Sequence, residues 1–110
     1  MDWKDTLRHT GAILGPMRKD EAATAQGFHA LHDAALADGA LSTRHKELIA
    51  LAIAVSKQCN DCIGFHVKAA IRAGATRQEV AETINVCVLM NGGPGYMYSA
   101  KAIEAYDQLS

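Results

Sequence analysis

The sequence predicts an all-α protein, and three observations carry that expectation. No run of alternating β-branched and polar residues marks a strand. Alanine is abundant, while Phe, Trp and Tyr together make up only 5% of the chain. Apolar residues recur instead at helical spacing, between residue types that start and stop helices.

About six helices are expected, taken here in chain order. The first runs from about Asp2 to Leu14, with Trp3, Leu7 and Leu14 apolar, and Gly15-Pro16 closes it. The second covers about Met17 to Asp38, carries Phe28, Leu31, Ala35 and Leu36 at helical spacing, and stops at Gly39. The third opens at Ser42 or Thr43, both good N-caps, and runs to about Gln58. Its apolar residues surround the whole cylinder, which marks a helix buried on most sides. In so short a chain that extra burial is expected to come from another subunit. The fourth starts near Asn60 or Asp61, has the stripe Ile63, Val67, Ala70 and Ile71, and ends at Gly74. The fifth opens on a capping box, Thr76 with Glu79, and presents Val80, Ile84, Cys87 and Val88 to the core. "NGGPG" (Asn91 to Gly95) then breaks the chain, and a last helix runs from about Tyr96 to Leu109.

A chain of 110 residues is expected to form one domain, residues 1–110. Its formal net charge of −1, with Lys and Arg scattered, leaves no electrostatic footprint for nucleic acid or an anionic membrane. The longest apolar run, "LIALAIAV" (Leu48 to Val55), is far short of a membrane span. The opening "MDWKDTLRHTG" lacks the apolar region of a secretory signal, so the cytoplasm is the expected compartment. There a structural disulfide is rare, and a close cysteine pair is more often redox-active, catalytic or metal-binding.

Such a pair stands in "SKQCNDCIGFH". Cys59 falls at the mouth of the fourth helix and Cys62 in its first turn, where unpaired amides and the helix dipole favour a thiolate. Three positions of separation let the two sulfurs reach disulfide distance without much strain. His66, four residues past Cys62, lies on the same face one turn on, suited to take or return a proton. If the third and fourth helices form an antiparallel hairpin, Glu47 comes level with His66 and orients its ring.

Together, Glu47, Cys59, Cys62 and His66 reproduce a Glu-x11-Cys-x2-Cys-x3-His signature. It resembles that of the AhpD-like alkylhydroperoxidases of the carboxymuconolactone decarboxylase superfamily. The resemblance extends from about Phe28 through the last helix, including "ADGALSTRHKELIALAIA" and "AIRAGATRQEVAETI". It implies a small helical protein assembled as a homo-oligomer, a trimer or hexamer. It also implies a cysteine pair that reduces peroxides or recycles an oxidised peroxiredoxin. Electrons would come from a dithiol donor such as dihydrolipoamide or a thioredoxin-like protein, and no further cofactor is implied. Carried over by position, Cys62 is the thiol coupled to the proton relay, Cys59 its disulfide partner, and Glu47 with His66 the relay. Asp61 stands where the AhpD pattern has a second histidine; an anion there either raises the Cys62 pKa or caps the helix.

Other readings of these residues stay open. Two inert thiols are one. A zinc site is another, with Cys59, Cys62 and His66 as three of four ligands, although no further Cys or His pair follows at finger-like spacing. A haem attachment fails because Ile63 stands where its histidine belongs, and a thioredoxin fold fails for want of strands. The superfamily also includes lactone decarboxylases, so small-carboxylate or lactone chemistry is an alternative activity. A non-catalytic helical oligomer that binds a partner is an alternative class. Cys87 reads as core and "GGPG" as a turn rather than a phosphate loop, while His29 and His32, three apart on the second helix, have the spacing to line a pocket but are not assigned to the site.

Overall fold

The computed structural model describes residues 1–110 as five helices and no strands. They are α1 (Trp3–Asp20), α2 (Ala22–Leu36), α3 (Thr43–Ser56), α4 (Asn60–Arg72) and α5 (Arg77–Leu109). No helix is long and apolar enough to cross a membrane. The core forms where the α3–α4 hairpin lies against α5. Leu51, Ala54 and Val55 of α3 meet Ile63 and Val67 of α4, and Val80, Ile84, Cys87, Ala102 and Ala105 of α5.

The caps place the elements. Ser42 accepts the amide of His45 at the start of α3, and Thr76 with Glu79 forms the reciprocal capping box of α5. Glu79 also pairs with Arg44, which joins the first turns of these two helices. Between α3 and α4 the chain turns on Gln58, whose φ of 57° is left-handed. The amides of Gln58 and Cys59 fold back to the carbonyls of Val55 and Ala54, the paired bonds of a Schellman stop. That stop delivers Cys59 directly to the mouth of α4.

α5 contains the expected break. At Gly92 the backbone takes φ 64° and ψ −140°, which only glycine adopts freely, and two helical limbs meet there at a kink. The second limb returns Ser99, Ala102 and Ala105 to the core.

Three boundaries differ from expectation. Gly15-Pro16 does not close α1, which continues to Asp20. Proline removes one amide bond and crowds the carbonyl one turn earlier, but that carbonyl belongs to the exposed Ala12, where water can take it. α2 consequently begins at Ala22 rather than Met17, after a single non-helical residue, Glu21. The cap of α4 is Cys59 itself rather than Asn60 or Asp61. Within one chain Ile49 and Ile53 of α3 face outward, 44% and 50% exposed.

Candidate functional site: a cysteine pair beside a buried Glu–His couple

Cys59 and Cys62 are joined as a disulfide, with their Cα atoms 5.2 Å apart. The local backbone explains why they meet. As N-cap, Cys59 has an extended conformation that turns its side chain over the first turn of α4, and its Sγ accepts the Cys62 amide at 3.2 Å. Both cysteines are half-buried, so the pair lies at the surface without being fully open to it.

One turn further, His66 Nδ1 lies 2.7 Å from Glu47 Oε2. The antiparallel hairpin brings these residues level, across 19 positions of sequence. Glu47 is only 3% exposed, an uncommon environment for a carboxylate unless something partners it. The imidazole is that partner. With Nδ1 engaged by the carboxylate, Nε2 is left to exchange a proton with whatever approaches along α4. All four predicted site residues therefore share one hairpin, with the sulfurs at its turn and the carboxylate–imidazole couple deeper along it.

Other residues hold this helix in place. Gly64, between Cys62 and His66, has α1 packed directly on it. A Cβ there would stand 2.7 Å from Leu7 Cδ2 and 3.0 Å from the Trp3 ring. Trp3 is itself completely buried, and its indole N–H donates to Glu104 at 2.7 Å. Thr10 donates its hydroxyl to Asp61 at 2.8 Å, so this carboxylate is tied to α1. Asp61 also lies in the first turn of α4, where the dipole favours an anion. On the other side Lys101 Nζ reaches Asn60 Oδ1 at 3.3 Å. Sequence reasoning missed these contacts because their partners are 41 to 101 positions apart. The helical glycine at position 64 was the available signal for a close approach.

An open groove of about 770 Å³ lies at the far end of the hairpin, lined by His32, Leu36, Thr43, Arg44, Glu47 and Arg72 among others. His32 lines this groove, and both His29 and His32 lie 3.3 Å from the Asp33 carboxylate on α2. Cys87 is free, buried in the core and bonded to the Ala52 and Thr83 carbonyls; burial pushes its thiol pKa up. No group of three or more His, Cys, Asp or Glu is arranged to hold a metal ion.

Comparison with known proteins agrees with this architecture. The model of the carboxymuconolactone decarboxylase family matches residues 22–105. An uncharacterised protein of Cupriavidus necator is 39% identical, over 99% of this chain and 96% of its own length. Uncharacterised protein 4 of the cox locus of Paracoccus denitrificans is 41% identical, over 94% of each chain. Among solved structures, the apo form of a carboxymuconolactone decarboxylase family protein from Legionella pneumophila superposes with a TM-score of 0.96 at 42% identity. That match covers 98% of this chain and 96% of that one. A family protein of Thermotoga maritima, at 21% identity and a TM-score of 0.83, shares the fold. By its helices, and by the match over most of its length, the chain belongs to the carboxymuconolactone decarboxylase family.

Proposed function

We propose that this protein is a thiol-dependent peroxidase of the alkylhydroperoxidase type. The carrying observation is the conjunction of a closed Cys59–Cys62 pair with His66, one turn along α4, held by the buried Glu47 of α3. An antioxidative role has also been suggested for the Thermotoga maritima protein of the same fold.

The chemistry follows from the positions. His66, its ring held by Glu47, takes the proton of Cys62. The thiolate attacks the O–O bond of a hydroperoxide; a sulfenic acid forms, and the alkoxide leaves as alcohol with the proton returned by His66. Cys59 then attacks the sulfenic sulfur, forming the disulfide and releasing water. An external dithiol, dihydrolipoamide or a thioredoxin-like protein, supplies two electrons and restores both thiols. An oxidised peroxiredoxin serves as an alternative oxidant. Such cycling belongs in the cytoplasm, where dithiol donors are maintained.

We further propose that the working form is a homo-oligomer, a trimer or hexamer. No residue of α2 is buried within the chain, and Phe28 and Leu31 are 68% and 63% exposed. Ile53, Val86, Leu89 and Met90 are exposed as well.

The test is peroxide-dependent oxidation of dihydrolipoamide, followed by mass spectrometry of the protein. Turnover and a Cys59–Cys62 disulfide are expected after one equivalent of peroxide, and both disappear in Cys62→Ser. A pair that stays reduced or becomes overoxidised overturns the proposal. A second reading rests on the groove, where Arg44 and Arg72 beside Glu47 suit a small carboxylate or lactone. It requires turnover of such a substrate to survive replacement of both Cys59 and Cys62 by serine.

A further inference from the structure

We propose that Lys101 is a positioning residue for the redox pair: tethered at the mouth of α4, its ammonium keeps the reduced Cys59 sulfur as a thiolate. The inference rests on the dithiol cycle above and divides the labour within it. The proton of Cys62 has a protein base one turn away, His66 with Glu47. Cys59 has no base placed for it, but it has charge stabilisation. Its Sγ is the N-cap acceptor of α4, bonded to the Cys62 amide at 3.2 Å. An N-cap sulfur facing a helix N-terminus is favoured as an anion.

Lys101 adds the cation. It arrives from the second limb of α5, and its Nζ sits 3.3 Å from the side-chain oxygen of Asn60, the residue next to Cys59. The same Nζ lies 4.4 Å from the centre of the Tyr98 ring. Two anchors on a half-buried lysine hold the ammonium beside Asn60, the first residue of α4. The remaining charged groups around that turn are Lys57 closing α3, and Asp61 and His66 on α4. On α5 there is Glu104, which carries the N-terminal ammonium at 3.1 Å and the Trp3 indole. Asp61 is occupied by Thr10 and His66 by Glu47. Lys101 is the cation anchored to this turn from another helix.

The consequence concerns which sulfur the dithiol donor meets. A donor thiolate attacks one sulfur of the disulfide and expels the other, and the sulfur of lower pKa leaves faster. With Cys59 stabilised, attack falls on Cys62: a donor–Cys62 disulfide forms as the Cys59 thiolate departs. The second donor thiol then attacks the sulfur of the first, releasing oxidised donor, and Cys62 leaves and takes up a proton through His66. Run in the oxidising direction, the same asymmetry makes Cys59 the resolving nucleophile.

The experiment follows alkylation of Cys59 by iodoacetamide against pH in a Cys62→Ser background, reading the Cys59 peptide by mass spectrometry. Lys101→Met is expected to move the midpoint to higher pH and cut the thiolate fraction at neutral pH by about three- to tenfold. Lys101→Arg should stay within about twofold of the parent, and Asn60→Ala, which unties the ammonium, should fall between. A midpoint unchanged in Lys101→Met, with circular dichroism and Tm preserved, overturns the proposal, as does an Arg variant shifted as far as Met. Should Lys101→Met fail to fold, an unshifted Asn60→Ala overturns it equally. None of these readouts needs peroxide turnover, so a protein inactive towards peroxide but shifted in this profile refutes the peroxidase reading alone.

Discussion

Replacing Glu47 by glutamine removes one charge from the couple while keeping its shape, and the structure sets the size of the effect. Glu47 Oε2 and His66 Nδ1 are 2.7 Å apart, the carboxylate side chain is 4% exposed, and the ring is 26% exposed. A hydrogen bond of this length to a charged partner contributes about 1.5–3 kcal/mol, against about 1 kcal/mol for a neutral one. The difference matters only while the ring carries the proton taken from Cys62. It therefore acts on the transition state, and a difference of about 0.5–2 kcal/mol there corresponds to a loss of about 2- to 30-fold in kcat/KM for peroxide. Stability should change by no more than about 1 kcal/mol, because the glutamine amide still reaches the ring. The assay is steady-state peroxide consumption with dihydrolipoamide in excess, alongside urea denaturation of both proteins. Turnover of Glu47→Gln equal to that of the parent, in a protein of parental stability, would refute the relay assigned to this couple.

The other expected outcomes follow from packing and charge. Trp3→Ala empties a fully buried site in the core cluster and should cost about 3–5 kcal/mol in urea denaturation; a loss below about 1 kcal/mol would mean that α1 is not held as described. Gln58→Gly relieves a left-handed residue at the α3 stop and should raise stability by about 0.5–1 kcal/mol, measured the same way. The N-terminal ammonium, and after it the Trp3 indole, hold the Glu104 carboxyl below its ordinary value of 4.5. That contribution is complete above the ordinary value and is lost as pH falls through the lowered one. Glu104→Gln should therefore flatten the acid limb of a stability–pH curve, and an unchanged limb counts against the assignment. Light scattering should give a mass that is a multiple of 11.8 kDa, reduced by Leu89→Glu, which places a charge on a side chain 79% exposed in the single chain. A parent protein that runs at 11.8 kDa would refute the oligomer.

The parts of the fold that could be read from the sequence are those that chemistry decides locally. Ser42, the Thr76–Glu79 box, Gly74 and the Gly92 break each act within a few residues, and each stands where expected. The hairpin that joins Glu47 to His66 was also legible, because two helices linked by a short turn have little choice but to run antiparallel. What escaped depends on distant partners or on exposure. Gly15-Pro16 has the signature of a helix stop, yet the carbonyl Pro16 leaves unbonded belongs to an exposed residue and the helix survives it. Asn60 and Asp61 outrank cysteine as cap formers, but the Schellman turn at Gln58 sets the helix one residue earlier and hands the cap to Cys59. The ties from Trp3 to Glu104 and from Thr10 to Asp61 have no signature in either partner's neighbourhood.

α2 touches both the proposed interface and the groove. A helix of 15 residues is marginal in water by propensity alone, and tertiary burial ordinarily supplies most of its stability. Here no residue of α2 is buried within the chain, while Phe28 and Leu31 stand largely exposed. The same helix contributes His32 and Leu36 to one wall of the groove that Glu47 lines. Covering the apolar side of α2 with a second copy would thus stabilise the helix and fix that wall together. Access to the buried end of the Glu47–His66 couple would then depend on assembly, although both residues and both sulfurs come from one chain.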